Sequence, residues 1–176
     1  VYPQRDGVRV EESASTAGSG ERAQILLEAE NVLRAATQTW TRWFILRLAG
    51  IYGPGRHDLA DQVKSGEVAG LGEHRLNLIH RDDAASAILT CLSAPAGAGS
   101  EIFNVADDSP TRKSDVVAWL AARLGVPLPR FTGESLSQRR PVTPDRVIAN
   151  GTLKSALGWR PQYPSFREGY ESFLSR

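Results

Sequence analysis

The stretch "RWFILRLAGIYGPGRHD", Arg42 to Asp58, decides the fold. Its first part, to Gly50, is short, apolar and bulky, which is the composition of a buried strand. Its second part can continue as neither strand nor helix, because Gly50, Gly53, Gly55 and Pro54 interrupt both. A short helical segment over residues 58–65 follows. A buried strand that runs into a glycine-rich loop and then a helix is one unit of an α/β domain.

The same alternation continues outward from this stretch. "RLNLIH" (residues 75–80) reads as extended, and Asp82 and Asp83 open a helix that runs to Leu92, with carboxylates at the positive end of its dipole. "EIFNVAD" (residues 101–107) is a second short apolar strand. It leads into a helix over residues 115–124 that buries Val117, Leu120, Ala121 and Leu124 and that Gly125 can cap. Asn150 caps a short helix to Leu157, and Ser165 with Glu168 forms a capping box for a last helix to Leu174. Upstream, the first twenty residues are loop-like. Residues 21–37 place Ile25, Leu26, Ala29, Val32, Leu33 and Ala36 on one helical stripe, the pattern of a helix packed on one side. Strands alternating with helices predict an α/β domain whose ligands sit beyond the carboxyl ends of the strands, where "GIYGPGR" lies.

Composition removes several classes of function. A net charge of +1, with 21 cationic residues spread among 20 acidic ones, provides no basic face for nucleic acid. The stretch "QRRPVTPDR" (residues 138–146) reads as a solvated loop. No run approaches the ~20 apolar residues that a membrane-spanning helix needs, and no leader resembling a signal peptide opens the chain. Cys91 is the single cysteine; its apolar setting marks it as a small buried hydrophobe and points to a reducing, cytoplasmic setting. His57, His74 and His80 lack metal-ligand spacing, so no metal site is expected. The chain begins at Val1 and contains no methionine, so the native N-terminus is expected to lie further upstream.

No intact dinucleotide fingerprint, P-loop, G-x-S-x-G or H-E-x-x-H occurs. The loop after the first strand nonetheless suits a ligand. Its glycines allow close backbone approach, Tyr52 offers a flat face and a hydroxyl, and Arg56 can pair with an anion. A tight turn with Tyr52 packed structurally is the other reading, and the residues alone leave both open. Asp82 and Asp83 read as helix caps rather than catalytic groups.

Taken in order, "LRLAGIYGPGR", "NLIHRDDAASAIL", "EIFNVADDSP" and "RVIANGTLKSALGWRPQYPSFREGYESFL" resemble the later part of NAD-dependent epimerase/dehydratase proteins of the extended short-chain dehydrogenase/reductase superfamily. "VYPQRDG" at the start is similar to the loop after that family's Ser/Thr strand. The resemblance implies a Rossmann-like doubly wound parallel sheet with a small C-terminal α/β substrate subdomain. It also implies NAD or NADP as cofactor, and an N-terminal half of about a hundred residues, built from ~30-residue βαβ units, upstream of Val1. The whole chain, 1–176, would be the C-terminal portion of one such domain, with substrate-side segments mainly in 50–80 and 108–176. Ala49, Gly50 and Ile51 would approach the nicotinamide end of the cofactor. Tyr52, Arg56, Asn77 and Arg146 would face a small polar, nucleotide-sugar-like substrate. A homodimer is the candidate assembly.

Two departures from the family pattern stand out. Its catalytic Tyr-x-x-x-Lys lies on a helix, with the lysine cation lowering the tyrosine pKa from about 10 toward neutrality. Aligned on Glu30, this chain carries Arg22 and Leu26 at those two positions. Arginine stays protonated and leucine carries no charge, so neither replaces its counterpart. Relatives acting on nucleotide sugars often carry a diphosphate-binding arginine seven residues before the position of Asp83, where this chain has Leu76, with Arg75 beside it. The catalytic residues therefore stay unknown. Two functions follow: an oxidoreductase or epimerase, or a non-catalytic dinucleotide-binding or interaction protein on the same fold.

Overall fold

A computed structural model describes residues 1–3, 7–18, 20–36, 42–133 and 145–174. Most of the basic stretch 138–146, and the proline-rich connection before it from residue 134, lie outside the described residues. In chain order the elements are β1 (Val8–Val10), α1 (Glu21–Ala35), β2 (Phe44–Leu48), β3 (Gly50–Tyr52), α2 (Asp58–Ser65), β4 (Glu67–Val68), β5 (Arg75–Leu76) and β6 (Leu78–His80). There follow α3 (Arg81–Leu92), β7 (Glu101–Val105), β8 (Thr111–Arg112), α4 (Lys113–Leu124), β9 (Arg130–Phe131), β10 (Arg146–Ile148), α5 (Gly151–Leu157) and α6 (Phe166–Leu174).

The pairings β2–β7, β3–β6, β1–β10 and β4–β9 are parallel, and β5–β8 is antiparallel. Parallel strands need crossovers, and helix α3 supplies the one between β6 and β7. The β2–β7 register sets Leu46 beside Phe103 and Arg47 beside Asn104. Because side chains alternate along a strand, this divides the pair into two faces of different chemistry. Phe44, Leu46, Phe103 and Val105 join Ala87 and Cys91 of α3 in one apolar core, with the Phe44 and Phe103 rings 5.9 Å apart. Arg47 and Asn104 occupy the opposite, polar face.

A second core lies beyond the carboxyl end of β3. There Tyr52 packs with Ala60 and Val63 of α2, Val117 and Leu120 of α4, and Phe166 and Tyr170 of α6. Helix α4 buries Val116, Val117, Leu120 and Ala121, close to the expected set, with Leu124 partly buried. Gly125 closes it at φ 67°, as expected.

Helix α1 forms where its periodicity places it, but its apolar stripe does not face the body. None of its residues is buried, and Ile25, Leu26 and Val32 are 61%, 53% and 71% exposed. The half-buried face is Ala23, Leu27, Glu30 and Leu33, so within the helix only Leu33 of the expected stripe lies on it, with Ala36 half-buried just beyond its end. The difference is physical: the element this helix rests on is the polar face of β2, which takes a carboxylate from Glu30 rather than a row of aliphatic groups.

Capping also differs from the sequence reading. The cap of α3 comes from the His80 ring, whose Nδ1 accepts the Asp82 N–H at 3.3 Å. Asp83 lies buried on the inner side of the first turn and serves another element. Asn150 precedes α5 without a side-chain cap; its amide donates to Ala106 O, Asp107 O and Asp108 Oδ1 at 2.6–3.2 Å. The Ser165–Glu168 pair does form at the start of α6, and Ser165 Oγ also accepts the Arg167 N–H. The bond from Ser165 holds the Glu168 carboxyl below its usual range.

Candidate functional site

The chain changes partners between Leu48 and Gly50. Up to Leu48 it pairs with β7, and Ala49 N–H still donates to Val105 O at 2.9 Å. From Gly50 it pairs with β6, with Gly50 N–H donating to Asn77 O at 2.9 Å. One strand is thus split between two partners at the carboxyl end of β2, the end at which α/β sheets hold ligands. Small residues stand there: Gly50 is exposed, and a Cβ added to it would lie 3.1 Å from Asn77 O. Ala49 and Ile51 pack against the apolar core around Phe103, and Gly50 between them is exposed.

Beyond it, the loop turns back on itself through Gly53 N–H to Arg56 O and Arg56 N–H to Gly53 O, at 3.0 and 2.9 Å. Gly53 (φ 150°) lies directly on the neighbouring turn, where a Cβ would meet Arg81 Cγ at 2.9 Å. Arg81 in turn donates to Pro54 O at 2.7 Å. The loop is thus held from both sides.

The four residues expected to face substrate divide between two locations. Asn77 and Arg146 sit together next to Gly50. Asn77 uses both ends of its amide on β10, donating to Arg146 O at 2.9 Å and accepting Ile148 N–H at 2.7 Å. Arg146 reaches across to Tyr2 O at 2.7 Å. Arg56 is exposed, and its Nε donates to Ile51 O at 2.9 Å. Tyr52 lies apart from all three, 3% exposed, its ring 4.8 Å from that of Tyr170 and edge-on to His80 at 5.4 Å. Burial raises its pKa, with Asp107 adding to the effect. Arg22 and Leu26, at the family's Tyr and Lys positions, are on the exposed side of α1.

The Arg47 face of β2 holds a network that no local sequence pattern announces, since its six members come from six segments. Arg47 makes a two-pronged pair with Glu30, at 2.9 and 2.6 Å, and donates to Tyr2 Oη at 2.6 Å. Tyr2 Oη donates to Asn104 Oδ1 at 2.8 Å, and Glu12 accepts from Asn104 N–H and from Thr152 Oγ1. Burial opposes the Arg47 charge, but the bonds to Glu30 and Tyr2 outweigh it and hold its pKa above the ordinary value. Both charged side chains are only 10–12% exposed. Glu30→Gln keeps the shape and removes the charge-assisted pairing, so it is expected to cost about 1–2 kcal/mol in denaturant unfolding. Unchanged stability would show that the pair contributes nothing net.

No family model matches the chain. Protein YeeZ of Escherichia coli K12 is 33% identical over 120 residues, covering 68% of this chain and 40% of that protein. A 3-diazoavenalumate denitrifying reductase from a Streptomyces species is 30% identical over 141 residues, covering 71% of this chain and 45% of the reductase. The chain thus spans less than half the length of these curated relatives. Among solved structures, a Methylobacillus flagellatus protein assigned to the NAD-dependent epimerases/dehydratases superimposes with a TM-score of 0.77 at 29% identity, over 99% of this chain and 60% of the other. The UDP-glucuronic acid 4-epimerase of Bacillus cereus, solved in complex with NAD, does so with a TM-score of 0.78 at 18% identity, over 97% of this chain and 56% of the other. The class these findings define is a Rossmann-like α/β fold. Within it, solved neighbours that cover almost all of this chain are NAD-dependent epimerase/dehydratase proteins.

Proposed function

We propose that residues 1–176 are the C-terminal portion of one NAD(P)-binding domain of an oxidoreductase or epimerase acting on a small polar substrate of the nucleotide-sugar kind. The observation that carries this reading is the change of strand partner at Ala49–Gly50, which leaves small residues and open backbone at the carboxyl end of β2. That surface fits the flat ring of a nicotinamide, which would supply hydride transfer when bound. Ala49, Gly50 and Ile51 would set the distance of the ring from the sheet. Arg56 would meet an anionic group of the substrate, and the Asn77–Arg146 clamp would hold the wall beside Gly50. Tyr52 would act from behind the loop, by fixing its position. The apolar side of α1, with Ile25, Leu26 and Val32, and the second edge of β2, are where an upstream βαβ unit would pack.

A second reading, a dinucleotide-binding protein without catalysis, is favoured by Arg22 and Leu26. Neither can supply or accept a proton at neutral pH. A reduction in which hydride is followed by a proton from water would place no demand on these positions, and turnover with a reducible substrate separates the two readings.

Calorimetric titration of the full-length protein with NAD(H) and NADP(H) is expected to show binding. Gly50→Ala should weaken it about tenfold, equivalent to about 1.4 kcal/mol. Turnover is then read with a panel of nucleotide sugars, alcohols and ketones. Failure to bind any dinucleotide removes the proposal; binding without turnover of any substrate selects the second reading.

A further inference from the structure

Asp107 follows β7 directly and is 3% exposed. Its Oδ1 accepts the Ser109 N–H at 3.1 Å, while the buried Oδ2 has no hydrogen-bond partner among the described residues. A buried carboxylate is normally paired with a cation or fully hydrogen-bonded. Here the surrounding charges have the wrong sign. Asp108 on the same loop, Asp83 on α3 and Glu168 on α6 all disfavour a second negative charge. From β3 the group acting with it is the Tyr52 phenol. On β6, burial lowers the pKa of His80 and so disfavours a compensating cation. On α5, Lys154 is bonded to Asp108.

This environment adjoins the seat of the last helix. Asp108 N–H donates to Pro164 O at 2.9 Å, Gly169 lies against the Tyr52 hydroxyl, and Phe166 and Tyr170 are buried in the same core. We propose that Asp107 is a proton-operated latch for α6: protonated, it leaves the C-terminal segment docked, and ionised, it loosens that segment from the body. Burial, with the neighbouring carboxylates, pushes its pKa from 3.8 up to about 7. The docked state therefore holds the proton more tightly than the undocked one. Docking is fully supported below the ordinary carboxyl value and weakens as the pH rises through about 7. The latch stands independently of the proposed cofactor.

Hydrogen exchange of the amides in α6 of the full-length protein, corrected for intrinsic rates, provides the test. Between about pH 5.5 and pH 8.5 their protection should fall at least about tenfold, while amides of β7 keep theirs. Asp107→Asn, which mimics the neutral acid, should abolish the fall. The carboxyl carbon of Asp107, followed by NMR in the wild type, should titrate with a midpoint near 7, the pH at which the fall in protection levels off. An equal fall in Asp107→Asn overturns the proposal. So does a carboxyl midpoint in the ordinary range near 4, or a fall in protection that continues well above the carboxyl midpoint, and that wild-type comparison decides the matter even where the variant does not fold.

Discussion

Asp83→Ala is expected to lower stability by about 3 kcal/mol, and Tm by about 10 °C for a domain of this size. Asp83 is 1% exposed, and its two carboxylate oxygens accept the N–H groups of Gln162 and Tyr163 at 2.7 and 3.0 Å. Those residues belong to the segment that brings Trp159 and then α6 back onto the body. One side chain near the start of α3 therefore satisfies two backbone donors almost eighty positions away in the chain. Alanine removes both bonds and leaves the two donors without their acceptor. Asp83→Asn keeps one acceptor and should lose about half as much. Thermal unfolding of the three proteins checks the order. Equal stability of Asp83→Ala and wild type would show that water replaces the carboxylate without penalty.

Gly169→Ala is the second large effect, and its sign is the informative part. In an open helix this change would stabilise by about 1 kcal/mol, because glycine has the lower helix propensity. Here the added Cβ would stand 2.6 Å from Tyr52 Cζ and 2.9 Å from Cε2, and nearer still to the hydroxyl. The Tyr52 ring cannot retreat, since Tyr170 and His80 flank it. Overpacking of this kind is expected to destabilise by about 2–3 kcal/mol. Tyr52→Phe removes the atom in deepest conflict and loses only a 3.4 Å contact to Ser165 O. The double variant should therefore be more stable than Gly169→Ala alone. Additive losses would show that α6 shifts as a whole rather than pressing on Tyr52.

These contacts explain why some of the fold was legible in the residues and some was not. The strand at Arg42–Gly50, the breaker "GIYGPG", the Gly125 cap and the Ser165–Glu168 box are local signals, set by side-chain size, backbone freedom and hydrogen bonds within one turn. The strand, the cap and the box appear where they were expected, but the breaker starts later: Gly50–Tyr52 continues as strand β3 because β6 offers it a parallel partner, and the turn begins only at Gly53. Asp83 reads locally as a cap because an acidic residue in a first turn usually is one, yet its partners lie at Gln162 and Tyr163. Tyr52 sits in a glycine-rich loop sequence and reads equally as surface or core. The arrival of α6 decided for core.

Amino-acid order alone determined the α/β class, the helices and the strands at Phe44–Leu48 and Glu101–Val105, because these depend on neighbours within a few residues; β1, in the stretch read as loop, and β3, in the stretch read as a breaker, exist through their partners β10 and β6. Tertiary structure decided which side of α1 faces the body, that His80 caps α3 while Asp83 clamps a distant segment, and that Asp107 ends beside three other acidic groups. Those outcomes depend on which distant segments meet. A stripe of aliphatic residues or a single aspartate is compatible with several environments, and only the packed neighbour selects among them.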